Sequence, residues 1–478
     1  MANSDKSYQS NLDSALFALL LDPAAAESLQ AQLLDGLRRK ILSSNAFCGV
    51  RLPASRVLAA ELSVSRTTVQ IVYDQLISEG YLVTRQGAGT FVAQELPHLS
   101  RVASVPRHPP APVASWRPFQ SALPDPALMP HAQWARHLDR AWRAPSADLL
   151  ARPDPLGWYP LRAAIADHLL AWRQLACDPQ QVVITSGARD AFEIIFRALL
   201  PPKTTVAIED PCWPKMARTL MSCGARAHPV RIGPEGLDPA QIPARARAAI
   251  VTPSRHYPTG RSMPLSSRLA LLEWAGRSGG VVIEDDYDSE FRYRGQPLPA
   301  LAGLDRLENV LYLGSFSKLL SAALRIGYMV VPQRMLPQIA AYFDAVGGQA
   351  SLTPQPALAS FMESGEFALH LRRMRRVYAR RQAYLLSAMA PAQGFVELAP
   401  DAGGMHLCAG LGPKLHGRVS DREISAEAAK AGLCVAALSD HCSLPHGPEA
   451  LLLGYAGFDE DTLGDAARRL CALLARMG

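Results

Sequence analysis

Lys318 stands in the run LGSFSKLLSAALRIGY, residues 313 to 328, among small and hydroxylated residues, with Arg325 seven positions further on. An amine so placed can close a Schiff base on an aldehyde, while Ser315, Ser317 and Arg325 can hold a phosphate dianion on the same molecule. That is what an aldehyde cofactor with a phosphate tail needs. A serine-flanked lysine alone is more often a solvated loop, so the argument depends on what the rest of the chain sets around it.

Other candidate groups sit where apolar runs end. In VVIEDDYDSEF, extended backbone sends Asp285 and Tyr287 to one side and Glu284 and Asp286 to the other. A buried carboxylate keeps a pyridine nitrogen protonated and so maintains the ring as an electron sink; a nearby phenol can hydrogen-bond the ring's 3-oxygen. Ser186-Gly187-Ala188-Arg189 closes a strand and opens a helix, and its amides form a phosphate nest. Trp213, in EDPCWP, offers a face for stacking on a planar ring, although without context a core tryptophan is the commoner reading. The loop TPSRHYPTG, residues 252 to 260, can reach over a bound ring. No histidine or further carboxylate stands at helpful spacing from the acids of residues 284 to 288, so a metal cluster is not expected.

These groups require a scaffold that brings strand ends together. Runs such as QVVITSG, TVAIED, RAAIVTPS, GVVIEDDYD, NVLYLGSFSK and RIGYMVVP alternate with helical patterns, which predicts a mostly parallel sheet covered by helices. Ligands in such sheets bind at the carboxyl ends of the strands. With 478 residues, 49% of them apolar, the chain can bury large cores in about three folding units. Its eight cysteines form no C-x-x-C pair, which suits a reducing compartment and neither a zinc site nor a disulfide framework. The apolar run Ala15 to Leu21 is too short to span a bilayer, and a cytoplasmic protein is expected.

A separate small module comes first. Leu29, Leu33, Leu34, Leu37 and Ile41 recur at helical spacing; a second helix is predicted after Pro53, and a third with Ser65 as its N-cap and Gly80 as its stop. YLVTRQGAGTFVA then reads as two strands joined at Gly87 to Gly89. The net charge of +6 decides little, but between Gly36 and Val92 seven Lys/Arg face three acids. Ser65-Arg66-Thr67-Thr68 at a helix start, with Gln70 one turn on, suits phosphates and base edges of DNA. A three-helix dimerisation module is the competing reading.

RLPASRVLAAELSVSRTTVQIVYDQLISEGYLVTRQGAGTFV resembles the winged helix-turn-helix of the GntR family. The resemblance implies DNA contacts from Arg56, from Ser65, Arg66, Thr67, Thr68 and Gln70 on the recognition helix, and from Gln86 and Gly87 in the wing, with Arg51 and Arg85 on phosphates. The turn SSNAFCG departs from the family's usual Gly and Pro. Eight prolines between Pro97 and Pro126 predict an extended connector. The expected division is therefore residues 1–95 (core about 27–93), a linker over 96–117, and a body over 118–478.

DPLGWYPLRAAIADHL, VVITSG, VTPS with YPTG, IEDDYDSEFRYRG, LGSFSK and LRIGY, in that order, resemble the pyridoxal 5'-phosphate-dependent aminotransferases of fold type I, which carry a smaller α+β C-terminal domain. With the winged helix in front, the chain resembles the MocR subfamily of GntR regulators. The resemblance implies Lys318 as the internal aldimine, Asp285 at the pyridine nitrogen, Tyr287 at the 3-oxygen, Trp213 stacked on the ring, and Gly187, Ala188, Ser315, Ser317 and Arg325 around the phosphate. It further implies a head-to-tail homodimer and an operator with repeated half-sites. Departures are Arg255-His256 in place of His-Gln, Lys215 where an effector-binding relative can carry arginine, and no arginine between Asp440 and Phe458, where aminotransferases clamp the substrate carboxylate. The expectation is a DNA-binding regulator that senses the cofactor or an amine effector; an active aminotransferase with a DNA-binding extension is the alternative. HLRRMRRVYARR, residues 370 to 381, is expected to be a solvated helix face, with contact to DNA as the less favoured alternative.

Overall fold

A computed structural model describes residues 19–43, 47–96, 116–121, 123–151, 154–348 and 350–478. The chain divides into two compact units, Met1–Val113 and Ala114–Gly478. Except at its ends, the expected linker over 96–117 lies outside the described residues, as do residues 15–18 of the N-terminal apolar run.

In the first unit, α1 (Leu29–Leu42) starts where the Ser28 side chain accepts from the Ala31 amide. Leu33, Leu37 and Ile41 repeat on one face and are buried against Leu58 of α2 (Ser55–Glu61) and Val69, Val72 and Leu76 of α3 (Arg66–Ser78). The turn between α2 and α3 is closed by Ser63 at φ 53°. Burial of each such aliphatic side chain contributes about 1.5–3 kcal/mol. Arg38 and Glu79 join α1 to the end of α3 at 2.7 Å. A two-stranded ribbon follows, β1 (Leu82–Arg85) antiparallel to β2 (Gly89–Val92), its tip turned by Gly87 at φ 74°. At the start of α3, Ser65 Oγ accepts from the Thr68 amide at 3.0 Å. Ser65→Ala should cost this unit about 1 kcal/mol, seen as roughly fivefold faster hydrogen exchange of the α3 amides. Unchanged exchange would show that the cap contributes nothing.

The second unit is built on a seven-stranded sheet, in spatial order β3 (Val182–Thr185), β9 (Gly327–Val330), β8 (Val310–Ser315), β7 (Val281–Asp286), β6 (Ala246–Val251), β4 (Thr205–Asp210) and β5 (Arg226–Arg231). All neighbours are parallel except β9, which runs antiparallel to both β3 and β8. Successive residues of the central strands enter opposite cores: Val282 and Tyr312 one, Ile283 and Leu313 the other. That is why these strands are apolar at nearly every position. β5, an edge strand whose sequence is RAHPVR, has no such pattern and was not among the expected strands.

Helices on the two faces include α4 (Tyr159–Arg173), α5 (Ala188–Ala198), α6 (Met216–Ser222) and α7 (Leu265–Ser278). Arg173, at the end of α4, reaches beneath β7. Its Nε lies 2.8 Å from Asp286 and its Nη2 3.5 Å from Glu284, and it also donates to Ser254 and to the Leu298 carbonyl. Tyr312 donates to the same Asp286 at 2.6 Å. Glu284 and Asp286 thus turn to a buried guanidinium, leaving Asp285 for the other side.

The long helix α8 (Glu366–Ala388) leads to a second, antiparallel sheet in order β10 (Val396–Glu397), β11 (His406–Leu411), β13 (Ala450–Gly454) and β12 (Ala436–Ala437), accompanied by α9 (Asp421–Lys430) and α10 (Glu460–Met477). The run 370–381 lies in α8 and has the expected solvated face, while its other face is buried. Leu371, Met374 and Tyr378 are core residues, Arg381 pairs with buried Asp125 at 2.7 Å, and Arg375 stacks 4.3 Å over Trp172. Among the described residues no helix is long and apolar enough to cross a membrane.

Candidate functional site

The carboxyl ends of β4, β6, β7 and β8 open into a cavity of about 430 Å³. Its wall contains Gly187, Ala188, Trp213, Asp285, Tyr287, Ser315, Ser317, Lys318 and Arg325, so the body residues singled out in the sequence come together in one place.

One end of the cavity is a cradle. β3 turns into α5 through Gly187, at φ 112°, and Asp190 accepts from the Ser186 amide at 2.7 Å. A Cβ on Gly327, at the start of β9, would stand 2.8 Å from Gly187 Cα, so the two backbones approach as only glycine permits. Arg325, in a left-handed conformation at φ 51°, extends Nη1 to this turn. Ser315 ends β8 and accepts from the Ser317 amide at 3.2 Å. A helix N-terminus, a guanidinium and two hydroxyls around one turn suit a phosphate.

Lys318 follows in a single π-helical turn, Ser317–Ser321. Burial lowers its pKa, opposed by the charges of Asp288 and Asp285. Asp285 is pushed up to about 7 by burial and by Asp286, against the pull of Lys318. Burial likewise holds the Tyr287 phenol well above its usual range. Arg255 Nη1 donates to the Tyr287 oxygen at 2.8 Å, which leaves the phenolic proton to be donated elsewhere. The same guanidinium, nearly buried, donates to Asp288 at 3.1 Å, to Asp401 at 2.8 Å and to the His406 carbonyl at 2.8 Å. Arg255 does not line the cavity; it reaches it through Tyr287. His256 is also absent from the wall, pushed down to about 3 by burial and therefore neutral.

Sequence reasoning did not single out three further wall residues. Glu209 accepts from the Thr252 amide at 3.0 Å and hydroxyl at 2.7 Å, and burial pushes its pKa up to about 8. Tyr257 meets Tyr287 edge to face at 5.5 Å and lies 3.2 Å from His441 through its hydroxyl. Cys212 precedes Trp213, its thiol also raised by burial. The apolar-run-plus-acid pattern that exposed Asp285 recurs at Glu209 in TVAIED and was the available signal. Lys215 stands outside the cavity, in an adjoining cleft with Arg189, Arg197 and Arg218. Among the described residues no cluster of His, Cys, Asp or Glu is arranged to hold a metal.

In the first unit Arg56, Ser65, Arg66, Thr67 and Gln70 are exposed, as are Arg85, Gln86 and Gly87 on the ribbon. Thr68 is half-buried and pairs its hydroxyl with Ser65 at 2.8 Å. Gln70 is held by Asp74 at 3.1 Å, Arg85 lies 4.7 Å over Phe91, and Arg51, exposed, bridges to the same strand at Phe91.

A buried lysine beside a carboxyl, with a phosphate cradle at the far end of a mostly parallel sheet, defines an aminotransferase-like body; the winged helix ahead of it defines a DNA-binding module. The two parts match separate family descriptions, "Bacterial regulatory proteins, gntR family" over residues 29–92 and "Aminotransferase class I and II" over residues 132–470. The chain is 34% identical to the probable rhizopine catabolism regulatory protein MocR of Rhizobium meliloti, covering 95% of each chain. It is 32% identical to the pyridoxine biosynthesis transcriptional regulator PdxR of Corynebacterium glutamicum, over 93% of this chain and 96% of that one. Among solved structures it is similar to the α-aminoadipate aminotransferase LysN of Thermus thermophilus, complexed with N-(5'-phosphopyridoxyl)-L-leucine, with a TM-score of 0.66, 27% identity, and coverage of 75% and 92%. The chain belongs to the MocR subfamily of GntR-family transcriptional regulators.

Proposed function

We propose that this regulator holds pyridoxal 5'-phosphate in the cavity of its body and that occupancy of the cavity sets its affinity for DNA. The observation that carries the reading is the convergence of a desolvated lysine, a buried carboxyl and a phosphate cradle on one cavity. When bound, the cofactor supplies an aldehyde that condenses reversibly with amines. The chain's residues do the rest. Desolvation raises the neutral, nucleophilic fraction of Lys318. Asp285 is placed to hold a proton at the ring nitrogen, and Tyr287, its oxygen already accepting from Arg255, is placed to donate to the 3-oxygen. Trp213 supplies a stacking face, while Gly187, Ala188, Ser315, Ser317 and Arg325 bind the phosphate.

On the DNA side, Arg56, Ser65, Arg66, Thr67, Thr68 and Gln70 face the major groove, with Gln86 and Gly87 in the wing and Arg51 and Arg85 on phosphates. A homodimer arranged head to tail reads repeated half-sites. The segment from Asp440 to Phe458 contains no arginine, which disfavours ordinary α-amino acids and favours the cofactor itself or a non-α-amino amine as the signal. Such signalling requires two states of unequal DNA affinity.

Absorbance titration of the cofactor-loaded protein with candidate amines tests the reading. A spectral shift that accompanies a change in DNA affinity is expected. Sustained multiple turnover with amino donors and a keto acid, at ordinary enzyme rates, would overturn the sensor reading in favour of an active transferase.

A further inference from the structure

The outward face of α8 carries a stripe of exposed arginines. On its inward face Arg381 pairs with Asp125 and Arg375 stacks over Trp172. On the solvent side Arg372, Arg376 and Arg380 recur at four-residue spacing with Arg373 beside them, all exposed. Among the described residues only Arg380 has a carboxylate, Glu460 at 2.5 Å.

Several other exposed helical arginines are matched one turn away by an acid, as in Arg39 with Asp35, Arg143 with Asp139, and Arg277 with Glu273. A solvated helix face is ordinarily built that way, because like charges four apart repel along the helix. The α8 stripe does the opposite, and its like charges four apart disfavour the helix. At about 1.5 Å per residue the stripe from Arg372 to Arg380 is about 12 Å long, roughly the rise of three to four nucleotides of one B-form strand. All of its cations are arginines, whose planar fork pairs bidentately with phosphate.

We infer that the outward stripe of α8 is a second, sequence-independent contact for the phosphate backbone of duplex DNA. It rests on the chain's being a DNA-binding protein and adds a surface outside the winged helix.

The test uses the full chain and a duplex from its own upstream region, titrated between about 50 and 200 mM salt. The variant carrying Arg372→Gln, Arg373→Gln and Arg376→Gln should flatten the slope of log affinity against log salt by about 2 to 3. Arg376→Gln alone should flatten it by about 1, and serves if the triple variant does not fold. A scrambled duplex should show the same losses. Arg66→Ala should instead reduce the preference for the upstream duplex over the scrambled one, so failure of the winged-helix reading is seen separately. A slope unchanged in both stripe variants overturns the inference. So does an unchanged slope with lost binding to phosphatidylglycerol vesicles, which would assign the stripe to a membrane surface.

Discussion

Lys318→Ala abolishes the visible absorbance band expected of the cofactor-loaded protein, and borohydride treatment no longer fixes a cofactor mass to the chain. The lysine occupies the one-turn π-helix between the cradle at Ser315 and Ser317 and the carboxyl of Asp285. Among the described residues no other lysine lines the cavity, so no second amine can take over. The cradle remains in the variant, and cofactor should still enter, but reversibly and removable by dialysis. DNA binding by Lys318→Ala should lose its response to added amines. A response that survives unchanged would show that signalling does not pass through this residue.

Arg173→Met should destabilise the body by about 3–5 kcal/mol, the usual cost of removing one partner from a buried ion pair. The guanidinium is 1% exposed and faces two acids of β7 that are themselves buried, so deleting it leaves Glu284 and Asp286 adjacent and uncompensated. Methionine fills most of the volume and supplies no charge. Urea denaturation followed by far-ultraviolet circular dichroism should show the body's midpoint fall sharply, while exchange of the α3 amides is unaffected. A loss below about 1 kcal/mol would mean that the hydroxyls of Tyr312 and Ser289, which donate to Asp286 at 2.6 Å and 2.8 Å, suffice to hold it.

Much of the site was legible because its signals are local. Asp285 and Tyr287 follow from strand alternation, Gly187 from a strand-to-helix turn, and Lys318 with Arg325 from one short run. What was not legible depends on contacts between distant residues. Arg255 meets Tyr287 and Asp401, 32 and 146 residues away, and no periodicity marks such a meeting. β5 escaped notice because an edge strand need not be apolar on both faces. In α8 the dense charge was plain, but the interleaved Leu371, Met374 and Tyr378 were hidden by it.

One guanidinium holds a phenol in the cavity wall, an acid at the end of β7, and both Asp401 and the His406 carbonyl beside the second sheet. It acts as a rivet through two plates. Arg255 therefore ties the Tyr287 hydroxyl directly to the second sheet, with one side chain between them.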